Sequence, residues 1–151
     1  MNHGTRSLDS AWWALRIGLG VGPFLAGLDK FFNLLTDWEM YLSPVMARML
    51  PMSPHVFMRT IGVVEMIVGL AILTRWTRIG AYVAAAWLVA IAVNLATTGA
   101  FFDLAVRDVE IALGAYTLAR LTEWREASRA GTRKEETPAA GVPARHHVSA
   151  T

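Results

Sequence analysis

The chain has 151 residues, of which 54% are hydrophobic and only 17% are charged. This balance is more apolar than that of an average soluble domain, and it predicts an integral membrane protein with one domain. The chain contains no cysteine, which excludes disulfides, thiolate zinc sites, iron–sulfur clusters and covalent haem attachment, and its formal net charge of +2 does not indicate a nucleic-acid partner.

The first predicted membrane span covers residues 11–35. Its uncharged centre, residues 17–28, is only as long as the hydrophobic region of a signal peptide. Asp29 and Lys30 follow directly, and the apolar run then resumes without a small-x-small cleavage site, so the sequence favours a retained helix. Pro23 predicts a kink, which membrane helices tolerate.

The segment 36–54 connects the first span to the second and contains three prolines. Apolar side chains surround Arg48, while Trp38 and Tyr41 are residue types that suit a membrane–water interface. We therefore predict a short amphipathic helix that lies along the membrane surface.

Three further spans are predicted at residues 55–74, 79–98 and 101–121. The third span is the strongest, because residues 79–102 contain no Asp, Glu, Lys or Arg and are long enough to cross about 30 Å of hydrocarbon. The fourth is the weakest, since charged residues crowd its first half. The resulting fold class is all-α: a four-transmembrane-helix bundle over residues 11–122, followed by a disordered cytoplasmic tail over residues 123–151.

The basic residues predict the orientation of the bundle. Arg6 precedes the first span, Arg75 and Arg78 lie between the second and third, and a group of arginines and one lysine follows the fourth. The other two connections are mainly acidic. The positive-inside rule therefore places both termini in the cytoplasm, which four spans also require.

Polar side chains within or at the ends of these spans are the candidates for a functional site. An unpaired charge at the centre of a membrane costs about 3 kcal/mol, so we expect these groups to pair inside the bundle. Such pairing permits a polar pocket but does not require one. The candidates are Asp29, Lys30, Glu65, Asn94, Arg107, Asp108 and Glu110.

Asp29 and Lys30 are neighbours in the first predicted helix. Successive side chains of a helix point about 100° apart, so each of the two charges needs a partner of its own. One interpretation is that Lys30 extends to the outer interface while Asp29 meets interfacial water. The other places one of the two in a polar pocket between helices.

Glu65 lies near the middle of the second span. Gly62 and Gly69 flank it on the same broad face, which predicts a close helix–helix contact with an acid in its seam. The carboxyl group is either protonated and hydrogen-bonded to a neighbour, or ionised, paired and functional.

The fourth span carries charges on two sides. Asp103, Arg107 and Glu110 share one stripe, and Asp108 lies on another face. Arg107 either pairs along its own helix with Asp103 or Glu110. The alternative is that Arg107 or Asp108 reaches Lys30, Glu65 or Arg16 on other helices. On the first span we expect Arg16 to extend to the inner interface, and we expect a structural hydrogen bond between helices from Asn94.

Three segments resemble the DoxX-like family of small bacterial membrane proteins. The first is similar to the opening helix of that family, with its glycines and terminal G-x-x-K-[FL]: LRIGLGVGPFLAGLDKFF, residues 15–32. The second resembles the second helix and its basic turn: GVVEMIVGLAILTRWTRIGAY, residues 62–82. The third is similar to the last helix, where an Arg-Asp pair often precedes an Ala-rich run: AVRDVEIALGAYTLARL, residues 105–121.

This resemblance implies a four-helix protein of the bacterial cytoplasmic (inner) membrane. The family takes its name from a subunit of an archaeal thiosulfate:quinone oxidoreductase, and relatives have been linked to membrane redox complexes and to oxidative-stress handling. Most members have no defined reaction, so the resemblance predicts the fold better than the chemistry.

The first functional hypothesis is an accessory subunit of a membrane redox system that binds a quinone. Lys30, Glu65, Arg107 and Asp108 would polarise or protonate the quinone oxygens. A redox-partner protein would supply the electrons, because the chain carries no self-contained catalytic motif. We expect neither a covalent cofactor nor a metal site, since His55 is isolated and the other histidines lie near the chain ends.

The second hypothesis is a non-catalytic scaffold or assembly factor. It would bind partner helices, or a second copy of the chain, through stripes of small residues such as Ala112, Ala115 and Ala119. A third hypothesis is a permease for small solutes or protons, which would need an oligomer to enclose a path.

Overall fold

A computed structural model describes residues 3–136 of the chain. Within this range the backbone forms five α-helices and one 3₁₀ turn, and it contains no strand. The elements are α1 (His3–Asp29), the 3₁₀ turn (Trp38–Tyr41), α2 (Pro44–Met49), α3 (Pro54–Leu73), α4 (Thr77–Thr97) and α5 (Phe102–Glu136). The all-α prediction is confirmed for the part of the chain that is described.

Three of these helices are long and apolar enough to cross a membrane: Arg6–Asp29, Pro54–Leu73 and Thr77–Thr97. They correspond to the first three predicted spans. The first prediction was wrong in one respect, because α1 ends at Asp29 and not at residue 35. The chain turns there through Asn33, whose φ of 51° is left-handed, and the Asp29 carboxylate accepts hydrogen bonds from the backbone beyond the turn.

The connection between α1 and α3 contains the short helix predicted for it. Both α2 and α3 begin with a Ser-Pro pair, in which Ser43 and Ser53 accept hydrogen bonds from backbone N–H groups of the first turn. The proline follows at the first helical position, where its missing N–H group is not needed. The prolines of this segment therefore act as helix starts.

The four long helices form a ring in the order α1, α3, α4, α5. The α1–α3 and α4–α5 pairs pack along much of their lengths, whereas the α1–α5 contact is the smallest of the ring. Near the α3–α4 turn all four helices contribute to one apolar core, which includes Trp12, Ile72, Ala84 and Leu118. At the opposite end a smaller apolar cluster joins α4, α5 and the connection.

Glycines allow α1 and α3 to approach closely. A Cβ atom on Gly62 would lie 2.5 Å from the carbonyl oxygen of Gly27, and one on Gly69 would lie 2.5 Å from that of Gly20. Backbone therefore contacts backbone at both levels, with Glu65 between them. The close contact predicted around Glu65 is confirmed.

Helix α5 runs the full length of the ring. At its start the ring of Phe101 lies 5.0 Å from that of Tyr41, and further along Arg78 binds Glu126 at 2.9 Å. The helix continues to Glu136, so the predicted disorder is not confirmed for residues 123–136. The remainder of the predicted tail, residues 137–151, lies outside the described residues.

Candidate functional site

A cavity of about 800 Å³ lies inside the ring of helices. Apolar side chains from all four long helices form most of its wall, and the α1–α3 connection covers one end. Five of the seven candidate residues line it: Lys30, Glu65, Asn94, Arg107 and Asp108. The structure thus brings together polar groups from four helices in a space that is otherwise apolar.

Lys30 and Glu65 form an ion pair across the α1–α3 seam. Lys30 Nζ lies 2.5 Å from Glu65 Oε2, and the two side chains are 4% and 10% exposed. The ammonium group also lies 3.7 Å from the centroid of the Trp38 ring, in cation–π geometry. Of the alternatives, Lys30 therefore lies in a polar pocket between helices, and Glu65 is paired.

Asp29 has partners of its own. Its carboxylate accepts hydrogen bonds from the backbone N–H groups of Leu34 and Leu35 and, at 2.8 Å, from Trp38 Nε1. These bonds close the turn after α1 and hold the indole of Trp38 over Lys30. Asp29 therefore positions a wall of the cavity without lining it, and the adjacent acid and base have separate partners, as helix geometry requires.

Arg107 and Asp108 bind one another, which corrects both interpretations of the fourth span. Arg107 donates to Asp108 Oδ1 from Nε at 3.1 Å and from Nη2 at 2.9 Å. Adjacent Cβ atoms point apart, but the long guanidinium chain bends around the helix to a carboxylate that is only 5% exposed.

Glu110 does not belong to this site. Its side chain is exposed on the outer face of α5, as is that of Asp103, and neither forms an ion pair within residues 3–136. Asn94 has a structural role, but its partners lie in the connection and not on another predicted span: its Nδ2 donates to Tyr41 O at 2.8 Å, and its Oδ1 accepts from Ser43 N at 3.2 Å. Asn94 thereby holds the connection against α4.

Arg16 has a role that the sequence reasoning missed. Its guanidinium donates to the carbonyl oxygens of Ile72, Leu73 and Thr74, at 3.0, 2.7 and 2.6 Å. The last carbonyls of any helix lack partners within it, and here they belong to α3. The sequence could have indicated this contact, because Arg16 lies near the inner end of the first span, at the same membrane side as the predicted end of the second.

Two tryptophans also line the cavity. Trp38 covers Lys30 from the connection, and its predicted position at the membrane interface stays a prediction. Trp87 lines the cavity from α4, and its Nε1 atom is buried with no hydrogen-bond partner among the described residues. No pattern in the sequence distinguishes this indole from one that is fully satisfied.

The charges of the cavity balance one another. Lys30 compensates Glu65, and Arg107 compensates Asp108, so the ionised groups of the wall sum to zero. A neutral guest would leave both ion pairs intact, whereas a charged one would have to break or desolvate one of them. The site is therefore suited to a neutral, largely apolar molecule with a few hydrogen-bonding atoms.

Comparison with known proteins identifies the family. The family model described as DoxX matches residues 11–98, which include most of α1 and all of α2, α3 and α4. No curated protein and no solved structure matches the chain. The matched segment covers more than half of the chain and contains Lys30, Glu65 and Asn94, so the protein belongs to the DoxX family of membrane proteins.

Proposed function

We propose that this protein is an accessory subunit of a membrane redox system and that its cavity holds a quinone. The apolar wall suits the quinone ring, and Lys30 can reach a ring oxygen. One ammonium hydrogen binds Glu65, and the remaining hydrogens leave a donor for the ligand. Trp87 Nε1 is a second donor within the same wall.

Reduction of a quinone to a quinol consumes two electrons and two protons. The protons would pass through Lys30 and Glu65, which are proton-carrying groups beside an apolar cavity. The electrons would come from a partner protein, because a chain without cysteine has neither thiol redox chemistry nor thiolate-bound clusters. This division of tasks is why we propose an accessory subunit.

The observation that carries the proposal is the buried Lys30–Glu65 pair at the cavity wall. A buried ion pair is a poor stabiliser, since replacement by apolar residues of similar volume is often neutral or favourable. Helices α1 and α3 already pack through their glycines and do not need the pair for contact. A ligand that uses the charged groups accounts for their presence in the cavity wall.

The test is the content of protein purified in its native lipid. We expect mass spectrometry of the extract to find quinone near one molecule per chain, and much less in Glu65→Gln. Glu126→Gln, which alters an exposed ion pair, is the matched control and should retain the quinone. A wild-type extract without quinone, or equal amounts in all three proteins, would refute the proposal.

We further propose that α5 forms a fourth span, which places both termini in the bacterial cytoplasm. A helix of 35 residues is about 52 Å long, more than the hydrocarbon thickness of about 30 Å. Asp9 near the start of α1 pairs with Arg125 of α5, so the two end regions lie together. Arg78 and Glu126 place the α3–α4 turn at that same end.

The stripe of small residues that we predicted to bind partner helices, Ala112, Ala115 and Ala119, is buried inside the ring and is not available to a partner. The outer face of α5 instead favours the scaffold as a second function. Glu110 is exposed two turns inside α5, where a carboxylate facing lipid costs about 3 kcal/mol. A basic side chain on a partner helix would remove that cost. Glu110→Gln should then reduce co-purification of the partner in mild detergent, while Asp103→Asn, at the first turn of α5, should not. Purification of a solitary monomer would exclude this function.

A further inference from the structure

The cavity wall includes residues of α1 whose surfaces are exposed. Gly18 and Gly22 line the cavity and are exposed, and no other described heavy atom lies within 4 Å of a Cβ built on either. Packing against the protein therefore does not explain glycine at these two positions, in contrast to Gly20 and Gly27. Their small size leaves space at the edge of the cavity.

Across from these glycines, α5 contributes exposed residues to the same wall. The Arg107 side chain is 56% exposed and Ile111 is 37% exposed, and both line the cavity. Helices α1 and α5 also make the smallest contact of the ring. The exposed wall residues and the small contact together indicate an opening of the cavity between α1 and α5.

The depth of this opening determines what can pass through it. Gly18 precedes Lys30 by twelve residues of α1, so it lies about 18 Å away along the helix axis. Both glycines fall inside the candidate span Arg6–Asp29, at a level where a spanning helix is surrounded by hydrocarbon. An apolar chain is the chemical group that can extend through the opening at no solvation cost.

We infer that the ligand of this cavity carries a hydrocarbon tail that leaves the protein between α1 and α5, past Gly18 and Gly22, while its polar ring lies at Lys30. This inference rests on the proposed function and specifies the class of quinone: one with a tail, which reaches the site from within the bilayer. The opening admits the ligand sideways from the membrane.

A second exposed part of the wall is formed by one residue of α2 and one of α4. Met46 and Ala90 line the cavity there and are also exposed. The α1 side is the better exit for a tail, because two unpacked glycines leave room that an alanine and a methionine do not. A bulky side chain at Ala90 therefore makes a matched comparison with one at Gly22.

The test compares a quinone without a tail, duroquinone, with decylubiquinone, which has a ten-carbon tail. Binding to protein in nanodiscs is followed by quenching of tryptophan fluorescence, for wild type, Gly22→Leu, Ala90→Leu and Gly114→Leu. Gly114 lies on α5 away from the cavity and controls for a glycine-to-leucine change in a helix. Gly18→Leu replaces Gly22→Leu if the latter does not fold.

We expect Gly22→Leu to weaken decylubiquinone binding about tenfold, which is the effect of excluding about two methylene groups of the tail from the protein. Duroquinone binding should be nearly unchanged. Ala90→Leu and Gly114→Leu should bind both quinones like wild type. Three results would overturn the inference and leave the proposed function standing. Gly22→Leu could weaken the binding of both quinones equally, or it could weaken neither. Ala90→Leu, and not Gly22→Leu, could cause the loss that is specific to decylubiquinone. Failure of wild type to bind either quinone would overturn both.

Discussion

Lys30, directly after α1, and Glu65 of α3 form a 2.5 Å ion pair inside the helix ring, beside one of the two levels where the helix backbones are in contact. Gly27 and Gly62 bring the helices together, and this approach sets the distance between the two charged side chains. The close contact and the ion pair are thus one arrangement, and the cavity lies along its inner side.

The ion pair predicts an asymmetric response to mutation. Lys30→Met leaves the Glu65 carboxylate buried without a partner, and we expect a loss of about 3 to 5 kcal/mol in the free energy of unfolding. Lys30→Met combined with Glu65→Leu removes both charges and should recover most of that loss. Unfolding in mixed micelles, followed by circular dichroism, measures both variants.

The control for this experiment is an exposed ion pair of the same protein. Arg78→Ala removes the partner of Glu126, and both side chains are about half exposed, so the loss should be at most about 1 kcal/mol. Similar losses for Lys30→Met and Arg78→Ala would mean that the Lys30–Glu65 pair is not buried in the folded protein.

The α1–α3 seam predicts opposite effects for two glycine substitutions. Gly62→Ala forces a methyl group against the Gly27 carbonyl and should destabilise the protein by about 1 to 3 kcal/mol. Gly114→Ala meets open space and should be neutral or stabilising by up to about 1 kcal/mol, because alanine favours a helix. The same unfolding assay measures both variants. An unchanged free energy of unfolding in Gly62→Ala would contradict the close approach of α1 and α3.

The indole N–H groups of the two cavity tryptophans should contribute differently to the free energy of unfolding. Trp38→Phe loses the hydrogen bond to the Asp29 carboxylate, and we expect a loss of about 2 kcal/mol in the free energy of unfolding. Trp87→Phe removes a buried donor that has no partner in the described structure, so stability should be unchanged or higher. A larger loss of stability in Trp87→Phe than in Trp38→Phe would be inconsistent with these contacts.

The proposed topology can be checked with single cysteines, since the chain has none of its own. Leu34→Cys, in the exposed turn after α1, should react with a membrane-impermeant maleimide added to intact bacterial cells. Ser128→Cys, exposed near the end of α5, should react only after the membrane is permeabilised. Labelling of both positions in intact cells would mean that α5 does not cross the membrane.

The sequence predicted the helices well where hydropathy decides their ends. Helices α3 and α4 differ from their predicted spans by one or two residues. Two ends were misplaced for local reasons. The Asp29 carboxylate binds backbone N–H groups and ends α1 inside an apolar run, and α5 continues as a helix to Glu136 through a polar segment whose composition suggested disorder.

The candidate site was only partly accessible to sequence reasoning. The cost of burying charge in lipid singled out Lys30 and Glu65 and predicted that such groups pair, because that cost does not depend on atomic detail. The choice of partner does depend on such detail, so the contact between Arg107 and Asp108 and the cap that Arg16 forms on α3 were missed. The size of the cavity could not be predicted, since it depends on how four helices and the connection pack against one another.

The most direct test of the account is the quinone affinity of a protein that folds but lacks the buried ion pair. Decylubiquinone is titrated into wild type, into Lys30→Met/Glu65→Leu and into Arg78→Ala in nanodiscs, with tryptophan fluorescence as the readout. We expect the double variant to bind at least about tenfold more weakly, because the ligand loses its hydrogen bonds to charged groups, and Arg78→Ala to bind like wild type. Equal affinity in all three proteins would contradict the claim that the Lys30–Glu65 pair holds the quinone.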